Sequence, residues 1–249
     1  MVDRRQITVG MAASLVVASD ARAGDQGTKA GMESFTSGGL PIGVEWFPAG
    51  SGTGPAVLLL HGADGLTFAE GYRLAARVLA SAGYHVGFVH YLDRTRDRRV
   101  VYSRIKQDYP TWMTVTRDAV SWIANHPGVD PARIGIVGVS LGAALAIDTA
   151  GADTRIKALV DYFGPVLDGV HGRVKRLPPT LILHGQMDGV VGIEHAHAFE
   201  AMLKRLGTPY EIKIYPDQGH GFIGAAQLDS AARVSAFLGR HLGAAARPG

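Results

Sequence analysis

A chain of 249 residues with 47% hydrophobic and 19% charged residues has room for one large globular domain, which excludes disordered and collagen-like classes. The formal net charge is only +3. Its basic residues are scattered apart from four arginines within residues 94–99, which read as a solvated loop, so no nucleic-acid footprint is present. Cysteine is absent, which excludes disulfides, thiolate metal sites and a cysteine nucleophile while leaving the redox compartment open.

At the amino terminus Asp3-Arg4-Arg5 precedes a mildly apolar stretch over residues 7–18 and then Ala21-Arg22-Ala23, the small-x-small form of a signal-peptidase site. The pattern predicts an export signal over residues 1–23, a linker over 24–31 and one domain over 32–249. Arg4-Arg5 resembles a twin-arginine signal, although Ile7 and Thr8 stand where that motif prefers Phe and Leu. The apolar part is too short and too often interrupted by Thr8, Gly10 and Ser14 to remain as a membrane anchor. The expected location is the periplasm or the medium, with a cytoplasmic enzyme carrying an unstructured tail as the alternative.

Residues 33–36 and 42–47 flank Ser37-Gly38-Gly39 and read as a hairpin of two strands. The apolar run 56–60 is too short for a helix and reads as a central strand. Residues 68–82 place Leu74, Val78 and Leu79 on one helical face, with Gly83 ending the helix where a left-handed residue is needed. Strands then follow at 86–89, 134–138, 156–163, 180–183 and 210–214, and helices at 112–125, 141–150, 193–206 and 227–242. Such alternation predicts an α/β fold with a mostly parallel central sheet, helices on both faces and an antiparallel hairpin at its entry. Residues 91–111 and 164–178 are expected to be irregular, and both follow carboxyl ends of strands, where an open sheet of this kind places its site. Neither stretch is long enough for a large cap domain.

Gly138-Val139-Ser140-Leu141-Gly142 carries the sharpest chemical signal. A strand that becomes a helix within one residue strains that residue, and glycines on both sides make room for the turn, so Ser140 is raised at the sheet edge as a nucleophile. A serine hydroxyl needs a base and a group that orients the base. His220 lies in Gly219-His220-Gly221, after the last strand, and Asp188 lies after the preceding strand in His184-Gly185-Gln186-Met187-Asp188. The order Ser140, Asp188, His220 is that of an α/β-hydrolase. Asp161 and Asp217 compete for the role of orienting acid. His184 reads as a structural histidine bracing the Asp188 loop, and the helical spacing of His195 and His197 turns them away from a shared metal. The oxyanion of a tetrahedral intermediate calls for two N–H donors. Leu141, opening the helix after the nucleophile, and Ala63, in His61-Gly62-Ala63-Asp64-Gly65 after the central strand, fill those places.

These motifs together, His61-Gly-Ala-Asp-Gly65, Gly138-Val-Ser-Leu-Gly142, His184-Gly-Gln-Met-Asp188 and Gly219-His-Gly-Phe222, resemble the dienelactone hydrolase family over residues 35–242. The resemblance implies an α/β-hydrolase fold and metal-free hydrolysis of esters or lactones. Three departures stand out. That family carries cysteine where this chain has Ser140, a glutamate at the position of Gly62 and an arginine at that of Gly224, so a serine esterase of the broader family fits better than turnover of dienelactone itself. Arg94 is the one arginine left as a counterpart for substrate binding. Tyr91 and Phe163, together with Tyr102 and Trp112, are candidate apolar walls.

The combined expectation is a serine hydrolase acting on a small ester or lactone through an acyl-enzyme, with no cofactor, no nucleic-acid partner and no membrane anchor. An aminopeptidase or acyltransferase on the same fold is the nearer alternative, and a non-catalytic hydrolase-fold binding protein the more distant one.

Overall fold

The computed structural model describes residues 30–50, 52–167 and 173–243. The expected export signal at 1–23 and most of the linker at 24–31 lie outside the described residues. Strand β1 (Gly31–Ser37) turns through Gly38 and Gly39, both at positive φ, into β2 (Leu40–Phe47). Two consecutive left-handed positions are what a two-residue hairpin needs, and glycine takes them without a Cβ clash.

Beyond the hairpin, β3 (Gly54–Leu60), β4 (His85–Val89), β5 (Val129–Val139), β6 (Ile156–Tyr162), β7 (Thr180–Gly185) and β8 (Tyr210–Tyr215) complete a single eight-stranded sheet. Its order is β1-β2-β4-β3-β5-β6-β7-β8, with β1–β2 and β2–β4 antiparallel and every other pair parallel. The helices are α1 (Ala69–Ser81), α2 (Ile105–Ala124), α3 (Leu141–Ala152), α4 (Glu194–Leu206) and α5 (Gly224–Leu242). Because side chains alternate along a strand, β3 sends Leu58 and Leu60 to the core under α2, α3 and α4, and Val57 and Leu59 to the core under α1 and α5. This is the α/β-hydrolase architecture with no large cap, and its two apolar layers hold the carboxyl ends of the parallel strands as a rigid rim. Among the described residues no helix is long and apolar enough to cross a membrane.

Residues 91–111 differ from the expected irregular stretch. A short 3-10 turn covers Tyr91–Thr95, another covers Tyr102–Arg104, and α2 begins at Ile105, so that Pro110 lies inside it. Proline in a helix removes one backbone donor. The first turns of α2 are held by other means: Arg104 pairs with Asp108 at 2.8 Å and the Tyr109 hydroxyl donates to Asp148 on α3 at 3.1 Å.

Candidate active site

Ser140 is the pivot between β5 and α3 and has φ 54° and ψ −119°, a conformation that costs a non-glycine residue roughly 1–3 kcal/mol. Its surroundings leave it no alternative. A Cβ on Gly138 would run into the backbone of Gly142 and Ala143, and one on Gly142 into the carbonyl oxygens of Leu60 and His61. The Ser140 N–H donates to the Tyr162 carbonyl at 2.9 Å, and its own carbonyl accepts from Ala143 and Ala144 as the first turn of α3. That helix is apolar on all sides and buried along most of its length, which fixes Ser140 from below.

His220 Nε2 accepts from the Ser140 hydroxyl at 3.0 Å, and Nδ1–H donates to Asp188 Oδ2 at 2.7 Å. The remaining Asp188 oxygen accepts from the N–H groups of Val190 and Val191, each at 2.8 Å. Burial alone would raise the Asp188 carboxyl, but the His220 ring and the two amides outweigh it and hold the group below the ordinary carboxylate range. The loops after β7 and β8 are locked to each other, since Met187 N–H donates to the Gln218 carbonyl at 2.9 Å and a Cβ on Gly185 would strike the Gln218 and Gly219 carbonyls. His184 is buried within that lock, donating from Nε2 to the Val191 carbonyl at 2.8 Å.

The contact of Gly142 with His61 sets the β3 loop beside the first turn of α3. Leu141 carries one of the amides that an α-helix leaves without an intrahelical partner. On the loop, the Ala63 carbonyl is tied to Val100 N–H at 2.8 Å, while among the described residues no backbone carbonyl accepts from Ala63 N–H. The Ala63 and Leu141 amides are therefore the candidate donors for an oxyanion site, which calls for two. A cavity of about 420 Å3 runs along this loop, lined by His61, Gly65, Leu66, Thr67, His90 and Leu92 among others.

The family model for the dienelactone hydrolase family matches residues 43–238. The chain belongs to the dienelactone hydrolase family. It is 30% identical over 92 residues to a carboxymethylenebutenolidase homolog of Xenopus tropicalis, covering 36% of this chain and 37% of that protein. It is 24% identical over 206 residues to the uncharacterized peptidase YuxL of Bacillus subtilis (strain 168), covering 69% of this chain and 31% of that protein. The matches thus span about a third of the length of these curated relatives. A crystal structure of a putative dienelactone hydrolase from Klebsiella pneumoniae superposes with a TM-score of 0.75 at 20% identity, over 86% of this chain and 99% of that one, which shows the shared fold.

Where members of the family are expected to carry an arginine, Gly224 opens α5 at φ +61°, a left-handed position that disfavours any larger side chain. The Arg94 guanidinium lies against Gly38 at the β1–β2 hairpin tip. Tyr91, Trp112 and Phe163 are fully buried, so they pack where the sequence suggested pocket walls. Tyr91 stacks on His61, and Phe163, at φ 41°, lies with its ring 4.7 Å from that of His220 and supports the imidazole. Tyr102 alone of the four is exposed. Of the competing acids, Asp217 is exposed and Asp161 is buried with Oδ1 accepting from Gly164 N–H at 2.8 Å; neither reaches His220. His195 Nδ1 accepts from Val166 N–H at 3.2 Å, and among the described residues no group of three His, Asp or Glu side chains is arranged to hold a metal ion.

Sequence reasoning did not single out Tyr72 on α1, and it read Tyr91 after β4 as a pocket wall although its hydroxyl bonds to the His61 and Gly62 carbonyls. A tyrosine in an apolar helical stripe looks like packing, and only its hydroxyl partner distinguishes it.

Proposed function

We propose that this chain is a serine hydrolase that cleaves small carboxylic esters or lactones through an acyl-enzyme. The continuous relay Asp188, His220, Ser140, at 2.7 and 3.0 Å, is the observation that carries the reading. Ser140 Oγ attacks the ester carbonyl carbon as His220 Nε2 takes its proton, and the carbonyl oxygen becomes the oxyanion between the Ala63 and Leu141 amides. Collapse breaks the carbon–oxygen bond to the alcohol, which departs with the proton from His220. Water then attacks the acyl-enzyme, giving one proton to His220, and the second collapse returns that proton to Ser140 and releases the acid. Asp188 remains ionised and stabilises the imidazolium in both halves.

Exposed apolar side chains on the loops support an uncharged substrate. Leu66 after β3, Met187 and Val190 after β7, and Ile223 after β8 expose 38%, 69%, 47% and 62% of their surface on loops that follow the carboxyl ends of those strands. Exposed apolar side chains at one site mark a place where apolar matter docks. The amino-terminal pattern Arg4-Arg5 with Ala21-Arg22-Ala23 supports export to the periplasm or the medium.

A panel of p-nitrophenyl esters and lactones, set beside aminoacyl anilides, tests this reading. It predicts turnover of short apolar esters well above that of any anilide. Preferential anilide cleavage would replace it with a peptidase, and turnover of neither class would remove the catalytic reading altogether.

A further inference from the structure

In a trans peptide the carbonyl and the following N–H point in opposite directions. The groups that hold the Gly62 carbonyl therefore decide which way the Ala63 N–H faces. Three donors converge on that carbonyl: His61 Nδ1–H at 2.8 Å, Gly65 N–H at 3.1 Å and the Tyr91 hydroxyl at 3.3 Å. The preceding peptide unit is held at both ends as well. The His61 carbonyl shares the single Tyr91 hydroxyl proton with the Gly62 carbonyl, at the shorter distance of 3.0 Å, and Gly62 N–H donates to the Tyr72 hydroxyl oxygen at 3.0 Å. A glycine at this position would otherwise let both peptide planes rotate freely.

The aromatic side chains are themselves fixed. His61 stacks on Tyr91 with ring centres 4.2 Å apart and planes 16° from parallel, and it meets Tyr72 and Phe88 edge-on. All four are buried at 2% exposure or less. Burial pushes the His61 ring down to about 4, so it stays neutral with its proton on Nδ1, and it raises both tyrosine hydroxyls so that they stay protonated.

We infer that Tyr91 and Tyr72, with His61, are positioning residues for the oxyanion site: they touch no reacting atom but orient the two peptide planes that aim Ala63 N–H at the developing negative charge. The inference rests on the hydrolase reading above and adds to it a reason why the loop after β3 is pre-set. A donor held in place before reaction needs no reorganisation when the oxyanion forms, which is where such sites gain their advantage. Losing the orientation removes an interaction made only in the transition state, so kcat falls while KM stays.

The test measures kcat and KM for an ester, and Kd for phenylboronic acid, whose tetrahedral adduct with Ser140 places an oxygen in the same site. Tyr91→Phe and Tyr72→Phe each delete one hydroxyl and keep the ring. Each is expected to lower kcat about 10-fold, and both together toward the ~10²–10³ typical of a lost oxyanion donor. KM should be unchanged and boronate affinity should fall by the same factor as kcat. His61→Asn, whose side-chain N–H can reach the same carbonyl, should retain more activity than His61→Leu. Variants that melt earlier but keep the wild-type kcat and boronate affinity would overturn the inference and leave the hydrolase reading intact. A wild-type protein that neither turns over esters nor reacts with a fluorophosphonate would overturn both together. Should the double variant not fold, either single variant decides the question.

Discussion

Replacing Asp161 by asparagine separates the acid that serves the triad from the acid that does not. Asp161 is fully buried on β6, one oxygen accepts from Gly164 N–H at 2.8 Å, and the other has no partner. Burial pushes its carboxyl from the ordinary 3.8 up to about 8. The folded protein therefore keeps a proton that the unfolded chain has already released between those two values. Where the folded state binds more protons, stability falls as pH rises, at ~1.4 kcal/mol per pH unit for one proton. The loss begins near pH 4, runs to about pH 8 and is constant above it.

Between pH 5 and 7 the wild type should thus lose about 3 kcal/mol through this one group, an order-of-magnitude figure equivalent to roughly 6–12 °C in melting temperature for a domain of this size. Asp161→Asn keeps the oxygen that Gly164 uses and has nothing to titrate. Thermal unfolding followed by circular dichroism at several pH values should show the variant's advantage over wild type widening through that window. Its kcat at neutral pH should match the wild type, since Asp161 is already neutral there. Melting curves that stay parallel across the window, or a loss of kcat comparable to that of a triad variant, would refute the reasoning.

The other acids are predicted to behave differently. Asp188→Asn removes the charge that holds His220 in its tautomer and should lower kcat by ~10⁴ with the fold retained, read by ester turnover and circular dichroism. Asp217→Asn, on an exposed side chain with no tie to His220, should leave turnover unchanged. Gly142→Ala would drive a methyl group into the carbonyl oxygens of Leu60 and His61. Displacing the β3 loop in this way should cost kcat ~10²–10³ through the oxyanion site and ~1–3 kcal/mol of stability, measured by urea unfolding.

Much of this arrangement was legible in the sequence because it depends on local chemistry. Short apolar runs ending in His-Gly, Gly-x-Ser-x-Gly or Gly-His-Gly mark strand ends where the backbone must turn tightly, and those ends fall on one edge of a parallel sheet. The three residues of the relay were found by that rule. Choosing Asp188 over Asp161 is harder, since Asp161 stands near the end of β6 and Asp188 follows β7 at the same edge. The difference lies in side-chain direction: Asp161 bonds to Gly164 and remains in the interior, while Asp188 lies on a turn that supplies it with two amides and faces the His220 imidazole from the loop after β8.

What was not legible depends on long-range packing. Tyr91 and Phe163 follow strands, as pocket walls do, yet the elements covering them bury both completely. Arg94 follows β4 but its guanidinium lies on a glycine of the distant β1–β2 turn, a contact that no local pattern encodes. The start of α2 is not legible because Pro110 ordinarily breaks a helix, and of the contacts that support its first turns only Arg104–Asp108 is local, while Tyr109–Asp148 joins separate stretches of the chain.

The central claim is that Ser140 is the nucleophile. Intact-mass measurement after treatment with a fluorophosphonate, on the wild type and on Ser140→Ala, tests it most directly. The wild type should gain the mass of a single adduct as ester turnover disappears, while the variant gains none, turns over no ester and keeps the wild-type circular dichroism. An adduct of equal yield on the variant, or undiminished ester hydrolysis by it, would contradict the account.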